Sequence, residues 1–288
     1  LHKEYRRQRQ MCIRDRGITS DGRLHPAAEQ KEFEMMMNTT LDQLRALKLL
    51  GMAAGLQDQL TSAGMACMSF EERTALLVER EVHWRGDKRR ERLLKEARLK
   101  YPQAAIEDMD ARAGRSVDRK AVMSLALSGW IDSGHSVLIT GPTGVGKSWL
   151  ACALAQYACR RGRSAYYQRM PRLGEELRIR HGNGTFGKWL IQLAKIDVLV
   201  LDDWGMAALD VQARSDLLEI IDDRAASKAT IITSQLPIEH WHAWVGDATI
   251  ADAILDRLMQ QNHRLTLTGE SLRQSIKTPQ KEKNPDPS

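Results

Sequence analysis

Residues 141–149, GPTGVGKSW, set Gly141, Gly146, Lys147 and Ser148 at the spacing G-x-x-x-x-G-K-[ST], directly after the apolar run VLIT and before a helical stretch. A strand before and a helix after are the context that marks a phosphate-binding loop. Gly141, Gly144 and Gly146 allow the tight turn that aims backbone N–H groups and the positive end of the next helix at a β-phosphate. Pro142, Thr143, Val145 and Trp149 complete the stretch expected around the nucleotide. Lys147 brings a point charge to the β- and γ-phosphates, and the Ser148 hydroxyl is placed to ligate Mg²⁺. The chemistry implied is the binding of a nucleoside triphosphate.

Further along, KIDVLVLDDWG, residues 195–205, is an apolar run that ends abruptly in Asp202 and Asp203. A buried strand beside the phosphate loop would deliver Asp202 to the Mg²⁺ shell together with Ser148. Asp203, one residue on, would then polarise an attacking water as a general base. Two acids capping a turn would explain an Asp-Asp pair alone, but not one that follows an apolar strand downstream of a phosphate loop. Lys147, Asp202 and Asp203 are thus the catalytic candidates that the residues themselves supply.

Five short apolar runs must position these groups: HSVLIT, RSAYYQ, IDVLVL, KATIIT and HRLTLT. Helical stretches separate the first four, which predicts an α/β domain with a mostly parallel sheet covered by helices on both faces. One helix, KAVMSLALSGWIDSG, precedes the first strand. Upstream, from Asn38 to about Lys100, the pattern is helical. Leu41, Leu44, Leu47, Leu49 and Leu50 recur near helical spacing, with Thr39 or Thr40 as the cap of the first helix. Ser69 and Glu72 form a capping box before a second apolar face. Tyr101-Pro102 should break the helix, and QAAIEDMDARAGRSVDR reads as a linker. The expected organisation is a tail at 1–37, a small all-helical domain at 38–115 for DNA or partner binding, an α/β domain at 116–273 and a tail at 274–288. The first stretch is polar, basic and aperiodic, read either as sequence ahead of the natural start or as a basic arm touching nucleic acid.

With 288 residues, 42% of them hydrophobic and 28% charged, the chain has the composition of a soluble globular protein. Lys and Arg outnumber Asp and Glu by 43 to 37, so a polyanionic partner is compatible with the charge. The four cysteines, Cys12, Cys67, Cys152 and Cys159, form no CxxC and no metal spacing, which suits reduced thiols. No apolar run has the length of a membrane helix and no signal core is visible, so no membrane is involved and the expected location is the cytoplasm. His240, His242 and His263 lack the neighbours of a metal site. Trp241 and Trp244 sit at a spacing suited to packing rather than to base stacking. Residues 85–100 hold eight bases against three acids. Bases at 85, 89 and 92 and at 88, 92 and 95 share faces of that helix, and Arg85, Lys88, Arg89, Arg90 and Arg92 are candidates to follow a phosphate backbone. The other reading is a solvated helix with internal pairs such as Glu91 with Lys95.

In series, LITGPTGVGKSWLACALA, VLVLDDWG, IITSQLP, AILDRL and GESLR resemble the IstB-type transposition helper ATPases, AAA+ proteins similar to DnaC-type helicase loaders. LRALKLLGM, MSFEER, LLVERE and ARLKYPQAAIEDMD resemble the helical region of the same family, so the likeness spans roughly residues 40 to 275. It implies an AAA+ fold, ATP and Mg²⁺ as cofactors, and a protein that assembles as an ATP-dependent oligomer on duplex DNA and recruits or activates a transposase, with ATP hydrolysis regulating release. It also implies roles for single residues. Gln235 stands where many AAA+ proteins place an Asn that holds the attacking water, the other reading being a strand-end Gln that satisfies backbone groups. Arg257 matches an arginine finger reaching a neighbouring subunit's nucleotide, against a helix salt bridge with Asp252 or Asp256. Arg273 resembles a second sensor arginine, although only fifteen residues follow it, too few for a full helical lid. Arg169, Arg172, Arg178, Arg180 and Lys188 fall where AAA+ proteins often face DNA, a second candidate DNA surface. The rival readings are a DnaC-like replicative helicase loader and, from another class, a P-loop small-molecule kinase.

Overall fold

The computed structural model describes residues 26–62, 64, 67–109 and 119–269. Arg273, most of the linker and most of the two terminal tails lie outside the described residues. Two compact units divide at Lys88 and Arg89.

The first unit holds α1 (Pro26–Ala46), α2 (Leu50–Thr61) and the start of α3 (Phe70–Glu96). Helix α1 begins inside the stretch expected to be a tail. Thr39 and Thr40 are not its cap; their hydroxyls donate back to the Met35 and Met36 carbonyls at 2.9 and 3.0 Å, the bond a mid-helix threonine makes. Lys48, at φ 60°, breaks the leucine-rich run into two helices. At Gly51 a Cβ would stand 2.7 Å from the Arg80 carbonyl, so α2 and α3 approach as closely as they do because no side chain intervenes. The capping box is present: Ser69 N–H donates to Glu72 at 2.8 Å and Glu72 N–H to Ser69 Oγ at 3.2 Å.

The second unit is built on five strands, β1 (Ser136–Thr140), β2 (Ala165–Arg169), β3 (Val198–Trp204), β4 (Ala229–Ser234) and β5 (Asn262–Thr266), in the order β2-β3-β4-β1-β5. Every pairing is parallel. The helices are α4 (Arg119–Leu127), α5 (Lys147–Arg160), α6 (Met170–Gly182), α7 (Phe186–Ala194), α8 (Val211–Asp222), α9 (Trp241–Val245) and α10 (Ala248–Gln260). Alternate strand residues point to opposite faces. Val137, Val200 and Ile231 meet α5 on one side, whereas Leu138, Leu199 and Ile232 meet α6, α7, α8 and α10 on the other. Strands β1, β3 and β4 are therefore buried on both faces, as their apolar runs imply, whereas the edge strand β5 alternates and is partly exposed.

The boundary between the helical and the α/β parts differs from the expected one. Leu93, Ala97, Leu99, Ala104, Ile106 and Met109 are all buried in the same core as Val137 and α5, so residues 89–109 belong to the sheet unit. Tyr101-Pro102 does follow the end of α3, but residues 103–109 pack as a core segment with a 3₁₀ turn at Ile106–Asp108 instead of a linker.

Arg224 is a buried cation at the foot of this sheet. It donates to the carbonyls of Leu193 (2.8 Å), Ile196 (2.9 Å) and Ala229 (2.6 Å) and to Thr230 Oγ1 (3.3 Å). Burial pushes its pKa down to about 10, so it remains charged at neutral pH. Arg224→Met strands these acceptors in the core and is expected to destabilise the fold by about 3 kcal/mol or more, read from the urea midpoint. An unmoved midpoint would contradict a structural role for this side chain.

Candidate nucleotide site

The phosphate loop leaves the C-terminal end of β1, a strand flanked by β4 and β5, where the crevice of a parallel sheet opens. Gly141 has φ 144°, and a Cβ there would lie 2.1 Å from the Leu267 carbonyl oxygen, so only glycine fits. Gly144 and Gly146 also have positive φ, 85° and 102°. Val145 is buried in the core and anchors the loop. The turn ends at Lys147, the first residue of α5, whose Nζ donates to the carbonyls of Gly141 and Pro142, each at 2.7 Å. The lysine is thereby folded over the loop it serves.

Asp202 lies at the end of β3 with no exposed surface. Its Oδ1 accepts from Ser148 Oγ at 2.7 Å and from Thr233 Oγ1, while Oδ2 accepts from the Tyr167 hydroxyl. Lys100 Nζ stands 3.8 Å from the same Oδ2. Burial and the neighbouring Asp202 charge raise the Tyr167 pKa far above its ordinary value, which keeps the phenol a donor. The Ser148 hydroxyl and the Asp202 carboxylate are adjacent hard oxygen donors, and that donor set fits Mg²⁺.

Asp203 departs from the strand. Its φ is 63°, and the β3–β4 register shifts between Leu201 and Trp204, a bulge that turns the carboxylate toward the cleft. Thr233 Oγ1 accepts the Asp203 N–H at 3.2 Å. Its Oδ2 accepts both Nε (3.0 Å) and Nη2 (2.7 Å) of Arg169, and that bond raises the Arg169 pKa. Arg169 is therefore placed differently from the sequence expectation: it lies at the end of β2, paired inside the cleft, because β2 and β3 run parallel with Arg169 in register with Asp202.

Gln235, just beyond β4, accepts from Thr143 Oγ1 at 2.6 Å, joining the strand end to the phosphate loop. With the loop, Lys100, Tyr101, Trp149, Arg169, Asp203, Met206 and Gln235 enclose a cleft of about 490 Å³, within the range of small-ligand sites. Arg257 stands apart. It contacts Asp222 on α8, rather than the Asp252 or Asp256 of its own helix, and donates to the Ala253 carbonyl at 2.9 Å.

The basic candidates divide. Arg85 reaches Glu81 at 2.7 Å, Lys88 lies over the Trp84 ring at 5.3 Å, Arg89 donates to the Gly162 carbonyl at 3.1 Å and Arg92 lies 3.9 Å from Glu96. All four, with Arg90, are exposed on α3. In the second segment Arg172 and Lys188 are exposed, Arg178 lies 3.9 Å from Asp210, and Arg180 pairs with Glu176 beneath the Trp189 ring. Trp241 is fully buried, and its indole and that of Trp244 pack against Trp204. Their N–H groups donate to the Leu236 and Ala207 carbonyls at 3.0 and 2.8 Å.

Lys100, Tyr101, Tyr167, Thr233 and Met206 enter the site without having been picked out from the sequence. Thr233 sits in IITSQ, two residues before Gln235, where the strand alternation could have found it. Lys100 offers no such signal, because nothing in its neighbours says that the turn after α3 folds into the cleft.

The family model described as IstB-like ATP binding protein matches residues 42–280. The chain is 58% identical over 203 residues, 70% of its length, to 88% of the Pseudomonas fluorescens protein named as the ATP-binding protein of insertion sequence IS1162. It is 46% identical over 84% of its length to 98% of the Sinorhizobium fredii protein named as insertion sequence ATP-binding protein y4pL. Among solved structures, the DnaI crystal structure aligns over 62% of this chain and 94% of its own, with a TM-score of 0.51 and 22% identity. The DnaC helicase loader aligns over 59% and 99%, with a TM-score of 0.50 and 22% identity. The fold is thus the AAA+ P-loop fold, with an N-terminal helical region ahead of it. Sequence and fold together place the chain in the family of IstB-like ATP-binding proteins.

Proposed function

We propose that this chain hydrolyses Mg²⁺-bound ATP and uses the nucleotide state to assemble on duplex target DNA, where it recruits or activates a transposase and is released by hydrolysis. The observation that carries the reading is the convergence of Ser148, Asp202, Asp203 and the Thr143–Gln235 pair on one cleft behind the phosphate loop. Support for the DNA and transposase part comes from relatives named for insertion sequences and from the exposed bases of α3.

Lys147 exchanges its two loop carbonyls for the β- and γ-phosphates. Ser148 and Asp202 would hold Mg²⁺, which would supply positive charge to the phosphates when bound. Gln235 orients a water against the γ-phosphorus and Asp203 takes its proton. The new bond joins water oxygen to phosphorus, the β–γ bridge breaks, and ADP and phosphate result. In this cleft Arg169 occupies Asp203, so turnover requires that pair to part as the nucleotide enters. Arg257, outside its own chain's cleft, acts on a neighbouring subunit's nucleotide, which links nucleotide and oligomer states.

The test follows ATP turnover with and without long duplex DNA, alongside particle size by light scattering. ATP-dependent growth of particles on DNA, with altered turnover, is the expected result. A response to a replicative helicase instead of DNA would shift the reading to a helicase loader, and turnover that ignores DNA and depends on a small-molecule acceptor would shift it to a kinase.

A further inference from the structure

Lys100 lies in no phosphate-binding motif, yet the chain holds it in the wall of the cleft. Helix α3 ends at Glu96, and Arg98, at φ 51°, turns the backbone. The Tyr167 N–H, on β2, donates to the Ala97 carbonyl at 2.9 Å, and Ala97 and Leu99 are buried on either side of the turn. The backbone of Tyr101 and Lys100 bonds to the buried Cys152 thiol on α5. With its neighbours anchored to β2 and α5, Lys100 projects into the cleft, 5.4 Å over the Tyr101 ring and 3.8 Å from Asp202 Oδ2. Its side chain is 30% exposed, whereas Asp202 has no exposed surface.

A buried carboxylate needs a counter-charge. Asp202 takes three hydroxyl donors, from Ser148, Thr233 and Tyr167, but hydroxyls leave its net charge in place. Lys100 places an ammonium group 3.8 Å from Oδ2 of the carboxylate.

The geometry points to Lys100 as a nucleotide-site residue that supplies the positive charge at Asp202 while no divalent cation is bound, so that the tetra-anionic form of ATP can enter the cleft ahead of Mg²⁺. The role rests on the nucleotide site proposed above and adds an order of events to it. With a divalent cation held by Ser148 and Asp202, the Lys100 ammonium would be free to turn toward the phosphates. Without Lys100, ATP lacking Mg²⁺ meets a carboxylate that has lost this counter-charge.

The experiment measures ATP affinity by titration calorimetry, once with excess Mg²⁺ and once with EDTA, for the wild-type chain, Lys100→Met and Lys100→Arg. Lys100→Met is expected to raise the ratio of the Mg²⁺-free to the Mg²⁺-bound Kd at least about fivefold, mainly by weakening the Mg²⁺-free complex. Lys100→Arg should hold the ratio near wild type. A Lys100→Met ratio equal to wild type, whether or not both affinities fall together, overturns the role of Lys100 and leaves the nucleotide site standing. A wild-type chain that binds ATP under neither condition overturns the nucleotide site itself and Lys100 with it. Circular dichroism of Lys100→Met, matched to wild type, shows that the variant is folded.

Discussion

Asp203→Asn is expected to bind ATP as the wild type does while its turnover falls by roughly 10² to 10⁴, the range for loss of a positioned general base. The substitution is well suited to this position. Asp203 has φ 63°, a left-handed conformation that few residues other than Gly, Asn and Asp tolerate, so Asn keeps the bulge between β3 and β4 without new strain. A carboxamide oxygen can still accept from Arg169, which donates through Nε and Nη2 at 3.0 and 2.7 Å. What Asn cannot do is take a proton from water at neutral pH. Fold, cleft shape and nucleotide affinity should therefore persist while hydrolysis does not. Phosphate release measured beside ATP binding separates the two, and turnover within a few-fold of wild type would remove Asp203 from the mechanism.

The same residue shows where sequence reading succeeds and where it stops. A run of four apolar residues ending in two acids is a local signal, and β3 spans Val198–Trp204 with both acids in its last three residues. The interior strands are equally legible, because a sheet covered on both faces leaves uninterrupted apolar runs, and the alternating HRLTLT marks the partly exposed edge strand β5. The partners of the acids were not. Arg169 looked like one base among five on a surface segment, and only the parallel pairing of β2 with β3 brings it against Asp203. Lys100 was counted in a basic helix, although the helix stops at Glu96 and the turn beyond it packs under the sheet. Of the linker expected at 103–119, the described part 103–109 packs into the core for a related reason. QAAIEDM carries few apolar residues, but Ala104, Ile106 and Met109 are spaced so that each reaches the core around one turn. Charge and turn-forming composition predict exposure poorly where a few apolar side chains are enough to anchor a segment.

Asp202→Asn is expected to abolish the contribution of Mg²⁺ to ATP affinity and to lower turnover on the order of a thousandfold. Asp202 is fully buried, and Ser148, Thr233 and Tyr167 all direct hydroxyl donors at it. An amide NH₂ on one side cannot accept from them, so at least one hydroxyl must rotate, and a stability loss of about 1–3 kcal/mol should accompany the change. The affinity measured in EDTA gives the more discriminating result. Removing the carboxylate charge frees Lys100 and lowers the field that opposes ATP, so the Mg²⁺-free complex should tighten as the Mg²⁺-bound one weakens, and the two Kd values should converge. In the Asp202→Asn background, Lys100→Met should then no longer act on the ratio, because the charge it compensated is gone. If Mg²⁺ still tightened ATP binding to Asp202→Asn as it does to wild type, the metal would have to be held elsewhere, and the assignment of Ser148 and Asp202 as its ligands would fall.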